Sequence, residues 1–476
     1  MKFSIIIFLV LSFFSISHAS DKKLNFVVFL VDDMGWGDIA CYGSKLHETP
    51  NIDTLATDGM KFTQGYSACT VCSPSRAAIM TGQYPGRLKL TDWIAGHGRP
   101  FAKLKIPDWQ MYMDHSHTTL AEAFKEADYT TAFVGKWHLM PHKDKDITND
   151  HIPEKHGFDY NYGGREWGQP KGKGKYFYPF DMPNVEGKEG DYLTDVLTDH
   201  AVDFIVKHKE DPFLLYFSYY TLHGPIMAKP EYHEKYKAKL ASGDYIQKDA
   251  KYAGMVQSLD DSVGRVLDTL KAQGLEENTV IIFTADNGGT NESKSGGLRG
   301  HKGLSYEGGT REAFLVKWPG VINPGSVSDD AVIGMDIYPT MLEMAGLEAK
   351  PKQHVDGLSI VPLLKQNASL NRDTLYWHYP HYHKTLPYGA IRHKDFKLIE
   401  FFEDGKLELY DLKSDSAERK NLAESYPEKA QELHVMLKKW RSDVGAQMMI
   451  TNPNYDSKKA NQGFPNYGKK GKKKKK

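Results

Sequence analysis

The chain has 476 residues, 40% of them apolar, which is enough to bury a large core and to form one large domain with a smaller one beside it. Its 61 basic and 61 acidic side chains balance, but without Lys2 and the seven lysines near the C-terminus the body is acidic by about eight charges, which argues against a nucleic-acid partner. With three cysteines in all, a four-cysteine zinc site is excluded.

At the N-terminus, Met1-Lys2, an apolar run from Ile5 to Phe14 and Ser17-His18-Ala19 read as a secretory signal peptide over residues 1–19. The run is too short to span a bilayer and no later segment approaches that length, so no transmembrane anchor is expected. The mature chain is expected to be periplasmic or secreted. Phe26 to Val31 then reads as a buried strand that delivers Asp32-Asp33.

The next segment, Cys72-Ser73-Pro74-Ser75-Arg76 followed by Ala77 to Thr81 and Gly82, predicts a short helix with Ser73 as N-cap, Pro74 at the first helical position and Gly82 as the stop. A thiol would then stand beside free backbone N–H groups and the Arg76 guanidinium, a setting for a tetrahedral oxyanion such as sulfate or phosphate. Cys69-Thr70-Val71-Cys72 is also a C-x-x-C, so a redox pair is an alternative use of the same thiol.

Three more apolar runs end in polar groups. Thr131 to Val134 leads to Lys136 and His138, Phe213 to Phe217 leads to His223, and Val280 to Phe283 leads to Asp286-Asn287. Met255, Leu259, Val263, Val266 and Leu270 recur at helical spacing between the last two runs. This alternation predicts an α/β sheet, in which ligands sit beyond the carboxyl ends of the strands. Asp32, Asp33, Asp286 and Asn287 form an all-oxygen set suited to a hard cation, Ca²⁺ or Mg²⁺, while each pair alone also reads as turn residues. A glycine-rich loop from Gly300 to Arg311 carries Lys302 and Glu307.

From about Arg372 the composition shifts to aromatics and imidazoles, with Tyr376-Trp377-His378-Tyr379-Pro380-His381-Tyr382-His383 followed by strand-like 391–392, 396–402 and 407–410 and a helix near 428–440. His378, His381 and His383 are candidates for contact with sugar rings, and Trp93 and His97 are weaker ones; packing as core is the alternative. The stretch 451–476, ending in lysines, is expected to be a disordered tail.

Cys72-x-Pro74-Ser75-Arg76 with Thr81-Gly82, together with Asp32-Asp33, Lys136-x-His138, Asp286-Asn287 and Lys302 with Glu307-Gly308-Gly309-x-Arg311, resembles the type I sulfatases of the alkaline phosphatase-like superfamily. The resemblance runs from Leu24 to about Trp318. It implies a large mixed β-sheet flanked by helices over 20–370 and a smaller α+β subdomain over 371–450. It further implies that Cys72 is oxidised to formylglycine by a formylglycine-generating enzyme and joins Asp32, Asp33, Asp286 and Asn287 around Ca²⁺, Mg²⁺ being the other possibility. Arg76, Lys136, His223 and Lys302 would then bind sulfate, His223 with Lys302 would protonate the leaving alcohol, and His138 would take the proton that releases sulfate.

The expected substrate is a sulfated polysaccharide or its oligosaccharides, such as ulvan or carrageenan, with a glycosaminoglycan or aryl sulfate as alternatives. A phosphodiesterase or phosphonate hydrolase, and a non-catalytic glycan-binding protein, are the readings from other classes. Sequons stand at Asn291 and Asn367; a glycan at Asn291 would crowd the Asp286-Asn287 site, which favours a bacterial source.

Overall fold

The computed structural model describes residues 22–142, 148–182, 184–366 and 368–462. The expected signal peptide, the lysine run and the Asn367 sequon lie outside the described residues. In chain order the strands are β1 (Asn25–Val31), β2 (Met60–Tyr66), β3 (Leu104–Lys105), β4 (Thr130–Gly135), β5 (Tyr160–Tyr162), β6 (Phe213–Ser218), β7 (Thr279–Ala285), β8 (Arg311–Lys317), β9 (Ser326–Ile333), β10 (Thr374–Tyr379), β11 (Tyr388–His393), β12 (Phe396–Phe401), β13 (Leu407–Asp411) and β14 (Ile450–Thr451).

Eight of these form one sheet in the order β5-β4-β6-β1-β7-β8-β2-β9. β8 runs antiparallel to both of its neighbours, while the pairs among β5, β4, β6, β1 and β7, and β2 with β9, are parallel. The central strands are continuous apolar runs because both faces are covered. Along β1, Phe26, Val28 and Leu30 enter one core layer, and Val27, Phe29 and Val31 enter the opposite one. The second layer is closed by the helix Ala250–Ala272, whose Met255, Leu259, Val263 and Val266 are buried. Its N-cap Asp249 accepts from the Tyr252 N–H at 2.9 Å.

The helix after Cys72 is Cys72–Thr81, and every one of its residues is buried. Val71, not the expected Ser73, is its N-cap, and Pro74 lies in the third helical position. Ser73 has a different task. Its hydroxyl donates to the His138 carbonyl at 2.9 Å and accepts from the Ile94 N–H at 3.1 Å, tying the helix to two loops. Gly82 ends the helix in the left-handed region at φ 67°, its N–H closing on the Ala78 carbonyl.

Strands β10 to β13 form an antiparallel sheet in sequential order, covered by the helix Pro427–Asp443. Its core is continuous with the large domain: Trp377, Tyr379, Leu433 and Trp440 share one cluster with Tyr66, Val71 and Ala78. The Trp377 indole N–H donates to the Ser67 carbonyl at 2.8 Å, five residues before Cys72.

The expected boundary at 450 and a disordered start at 451 are corrected by this structure. β14 pairs antiparallel with β3, and the Asn452 amide donates to the carbonyls of Pro100 at 2.9 Å and Ala102 at 2.7 Å. These backbone partners hold the chain against the 99–105 segment, which composition alone does not reveal. Among the described residues no helix is long and apolar enough to cross a membrane.

Candidate active site

β4, β6, β1 and β7 are neighbours in the sheet, so their carboxyl ends lie side by side and bring Lys136, Ser218, Asp32 and Asp286 together. Asp33 and His138 both adopt left-handed backbone, at φ 60° and 57°. For residues with a Cβ this costs about 1–3 kcal/mol each and marks positions held by the surrounding structure.

Lys136 Nζ stands 2.7 Å from Asp32 Oδ2, and both side chains are fully buried. Arg76 Nε and Nη2 each reach Asp286 Oδ2 at 2.8 Å, while Nη1 donates to the Lys136 carbonyl at 2.6 Å and to Ser218 Oγ at 2.5 Å. Lys302 Nζ is 2.7 Å from Asp33 Oδ1 and 3.4 Å from Cys72 Sγ. His223 Nε2 lies 3.8 Å from Asp33 Oδ2, and its Nδ1 bonds the Gly224 carbonyl at 2.8 Å, which fixes Nδ1 as the donor and leaves a lone pair at Nε2. The Asn287 amide nitrogen donates to Asp33 Oδ1 at 2.8 Å.

The charges respond to this crowding. Burial, outweighing Lys136, raises the Asp32 carboxyl well above its ordinary value. Burial would raise Asp33 too, but Lys302, His223 and Lys136 hold it well below the usual carboxylate range. Burial pushes the Cys72 thiol up despite Lys136 and Lys302, so it is not an activated thiolate. Cys69 and Cys72 are both free, and burial raises Cys69 as well, which removes support from the redox-pair alternative. His138 is lowered by burial, and His223 is pushed down to about 3 by burial and then Lys302.

Two buried acceptors, Asp32 Oδ1 and Asn287 Oδ1, have no hydrogen-bond partner. Orphaned acceptors among three aspartates are the electrostatic arrangement a hard cation satisfies, and Asp32, Cys72 and Asp286 bring potential ligand atoms within 4.8 Å of one another. The residues present therefore fit a divalent ion held by oxygen.

Above this cluster opens a cavity of about 390 Å³, with Asp33, Cys72, His138, His223 and Lys302 at its base. Arg76 and Lys136 do not line it; they are paired with the carboxylates Asp286 and Asp32. Of the expected sugar contacts, His383, Trp93 and His97 do line the cavity. His378 and His381 do not, because His378 Nε2 bonds the Gln447 carbonyl at 2.8 Å and the fully buried His381 Nε2 bonds Thr91 Oγ1 at 2.8 Å. Lys384, His142, Gln169 and Thr290 complete the wall and were not singled out in the sequence. Lys384 adjoins His383 in the imidazole-rich run, a signal that was present; Gln169 carried none.

Glu307 and Arg311 brace the loop. Glu307 accepts from Tyr66 Oη at 2.8 Å and Lys397 Nζ at 2.9 Å, and Arg311 Nη2 donates to the Thr63 carbonyl at 2.7 Å.

Known proteins resemble this chain in sequence and in fold. The Sulfatase family profile matches residues 24–347, and the profile described as N-sulphoglucosamine sulphohydrolase, C-terminal, matches 300–444. A sulfatase of Formosa agariphila is 33% identical, the match covering 86% of this chain and 86% of that protein. The N-acetylgalactosamine-6-sulfatase of Rattus norvegicus is 34% identical over 74% of this chain and 68% of its own length. The crystal structure of Ps i-CgsB in complex with k-i-k-neocarrahexaose superposes with a TM-score of 0.74 at 28% identity, covering 91% of this chain and 95% of that one. The match of 24–347 spans the strand ends, the Cys72 helix and the Lys302 loop together, and a family of this kind implies a formylglycine and a divalent metal. By sequence and by fold, the chain belongs to the sulfatase family and is a sulfuric ester hydrolase.

Proposed function

We propose that this protein is an exported sulfatase that removes sulfate from a sulfated carbohydrate, with formylglycine at position 72 and a Ca²⁺ ion held by Asp32, Asp33, Asp286 and Asn287. The observation that carries it is the meeting of orphaned oxygen ligands, Cys72 and Lys302 at the floor of a cavity whose wall bears Trp93, His97 and His383. Aromatic and imidazole faces with polar edges suit sugar rings. The signal-like N-terminus supports export, and maturation would require a formylglycine-generating enzyme. The carbohydrate class is supported by Ps i-CgsB, whose structure holds a neocarrahexaose. We favour an algal polysaccharide such as carrageenan or ulvan, or its oligosaccharides, over a glycosaminoglycan.

Cys72 Sγ marks where the hydrate oxygens of formylglycine would stand. When bound, the divalent cation supplies Lewis acidity and neutralises charge on the sulfate oxygens. Lys302, between Cys72 and Asp33, meets a peripheral sulfate oxygen and fixes the sulfur above position 72. A hydrate hydroxyl would attack sulfur, giving its proton to a flanking carboxylate, Asp32 or Asp286, as the ester S–O bond breaks and its electron pair leaves on the alcohol oxygen. His223, neutral at rest, takes up a proton at Nε2 as the anionic substrate binds and passes it to that oxygen, with Lys302 beside it. His138, held by the Ile94 carbonyl at Nε2, accepts the proton of the second hydroxyl; its C–O closes to the aldehyde as sulfate leaves. A plain cysteine would instead form an S-sulfonate, which has no second hydroxyl and no such exit.

The experiment is sulfate release from a panel of carrageenan, ulvan and glycosaminoglycan oligosaccharides, with an aryl sulfate and a phosphonate monoester in parallel. Release from at least one glycan is expected. Phosphonate turnover with no sulfate release from any glycan or aryl sulfate would overturn the reading.

A further inference from the structure

Away from the cavity, three histidines come together from separate turns. His115 stands in the loop before Thr119, His151 ends the 3-10 turn Asn149–His151, and His156 ends the next one, Pro153–His156. One ring nitrogen or other ligand atom from each lies within 4.8 Å of the others. His156 is fully buried, and neither of its ring nitrogens has a hydrogen-bond partner. A buried imidazole with two unmet polar atoms needs a reason.

The other two rings have fixed tautomers. His115 Nε2 bonds the Asp150 carbonyl at 2.8 Å and His151 Nδ1 bonds the Met113 carbonyl at 3.1 Å. A carbonyl only accepts, so those nitrogens carry the protons and the remaining nitrogens, His115 Nδ1 and His151 Nε2, hold lone pairs. An imidazole that donates one N–H to a backbone carbonyl while offering its other nitrogen is the orientation metal-binding histidines adopt. Burial pushes His156 down to about 3, so its imidazole is neutral near pH 7.

We propose that His115, His151 and His156 form a second metal site, separate from the oxygen cluster, that takes Zn²⁺ or a transition-metal ion of similar preference. Three imidazole nitrogens suit such an ion and offer nothing to Ca²⁺. The rings are stacked, His115 on His156 at 4.5 Å and 9°. Convergence on one ion at about 2.0–2.1 Å per nitrogen requires ring rotation, and His115, exposed to solvent, would turn at the expense of its bond to the Asp150 carbonyl and leave a fourth position for water. The site is joined to the catalytic strand end. The Trp137 indole N–H donates to the His151 carbonyl at 2.8 Å, and Trp137 sits between Lys136 and His138. The ion would clamp the 149–156 turns beneath that loop.

The test uses the full chain as Cys72→Ser, which removes the active-site thiol, in excess Ca²⁺. Calorimetric titration with Zn²⁺ is expected to give one site per chain and a Zn²⁺-dependent rise in Tm. The double variant His115→Gln/His151→Gln, at positions that are not deeply buried, should keep the parent Tm in chelator and lose affinity by at least about 100-fold. Zinc-edge X-ray absorption on the parent, independent of any substitution at these histidines, should count three imidazoles. No Zn²⁺ uptake, uptake that Ca²⁺ displaces, or a shell without imidazole would overturn the proposal.

Discussion

Arg76 commits its guanidinium to Asp286, the Lys136 carbonyl and Ser218, a planar fork meeting acceptors from three strand ends. A lysine supplies one point charge and cannot reproduce this fork. Arg76→Lys is therefore expected to lower kcat/KM for sulfate release by about 100-fold through displacement of the carboxylates, and to raise the Ca²⁺ concentration needed for half-activity. Activity within a few-fold of the parent with unchanged Ca²⁺ dependence would contradict this. Asp92 presents a separate case. Burial raises its carboxyl from 3.8 to about 7, while Tyr379 Oη and the Trp93 N–H donate to its Oδ1 at 2.5 and 2.9 Å. The fold favours the protonated acid, so this group's contribution is fully present below about pH 4 and is lost as the pH rises through 7. Asp92→Asn keeps the acceptor without the ionisation. Urea unfolding of both proteins should show the variant gaining, relative to the parent, up to about 4 kcal/mol between pH 4 and 8. A difference independent of pH would refute it.

At the scale of elements, the loop between β7 and β8 places Lys302, whose N–H donates to the Gly289 carbonyl at 2.8 Å. A Cβ at Gly309 would stand 2.0 Å from the Leu304 carbonyl oxygen, so no side chain fits there without moving the loop. Gly309→Ala is expected to destabilise the protein by about 1–3 kcal/mol and to lower activity more than stability alone explains, read from the fraction folded and kcat/KM together. The central strands were legible because burial on both faces makes them unbroken apolar runs, as in β1, β6 and β7. β2 and β9 were not, since Lys61, Thr63 and Gln64 or Ser328 and Asp329 interrupt their patterns. The same limit governs the site. Asp32, Asp33, Asp286 and Asn287 follow strand ends directly, so sequence alone located them. Among His378, His381 and His383, residue type is shared and only packing separates the two that bond Gln447 and Thr91 from the one that faces the cavity. The tail's attachment through Asn452 depends on carbonyls some 350 residues away, which no local pattern encodes.

For the whole molecule, the two domains are locked by a buried charge group. Lys397 Nζ of β12 lies 2.9 Å from Glu307 Oε1 and 3.1 Å from Glu418 Oε1, and Glu418 Oε2 accepts from the Glu307 N–H at 2.6 Å. Lys397→Met removes the cation that bridges Glu307 and Glu418, leaving Glu307 with Arg311 at 3.6 Å, and should cost about 3–5 kcal/mol, seen as a lower urea midpoint. Because Glu307 sits in the Lys302 loop, activity should fall with it; a stable, fully active variant would show that the lock is dispensable. The central claim, that Cys72 acts as formylglycine, is tested most directly by the mass of the tryptic peptide spanning position 72 in active protein. The account predicts the aldehyde mass, with sulfate release per chain proportional to the aldehyde fraction. Full sulfate release from protein that carries only the thiol would contradict it.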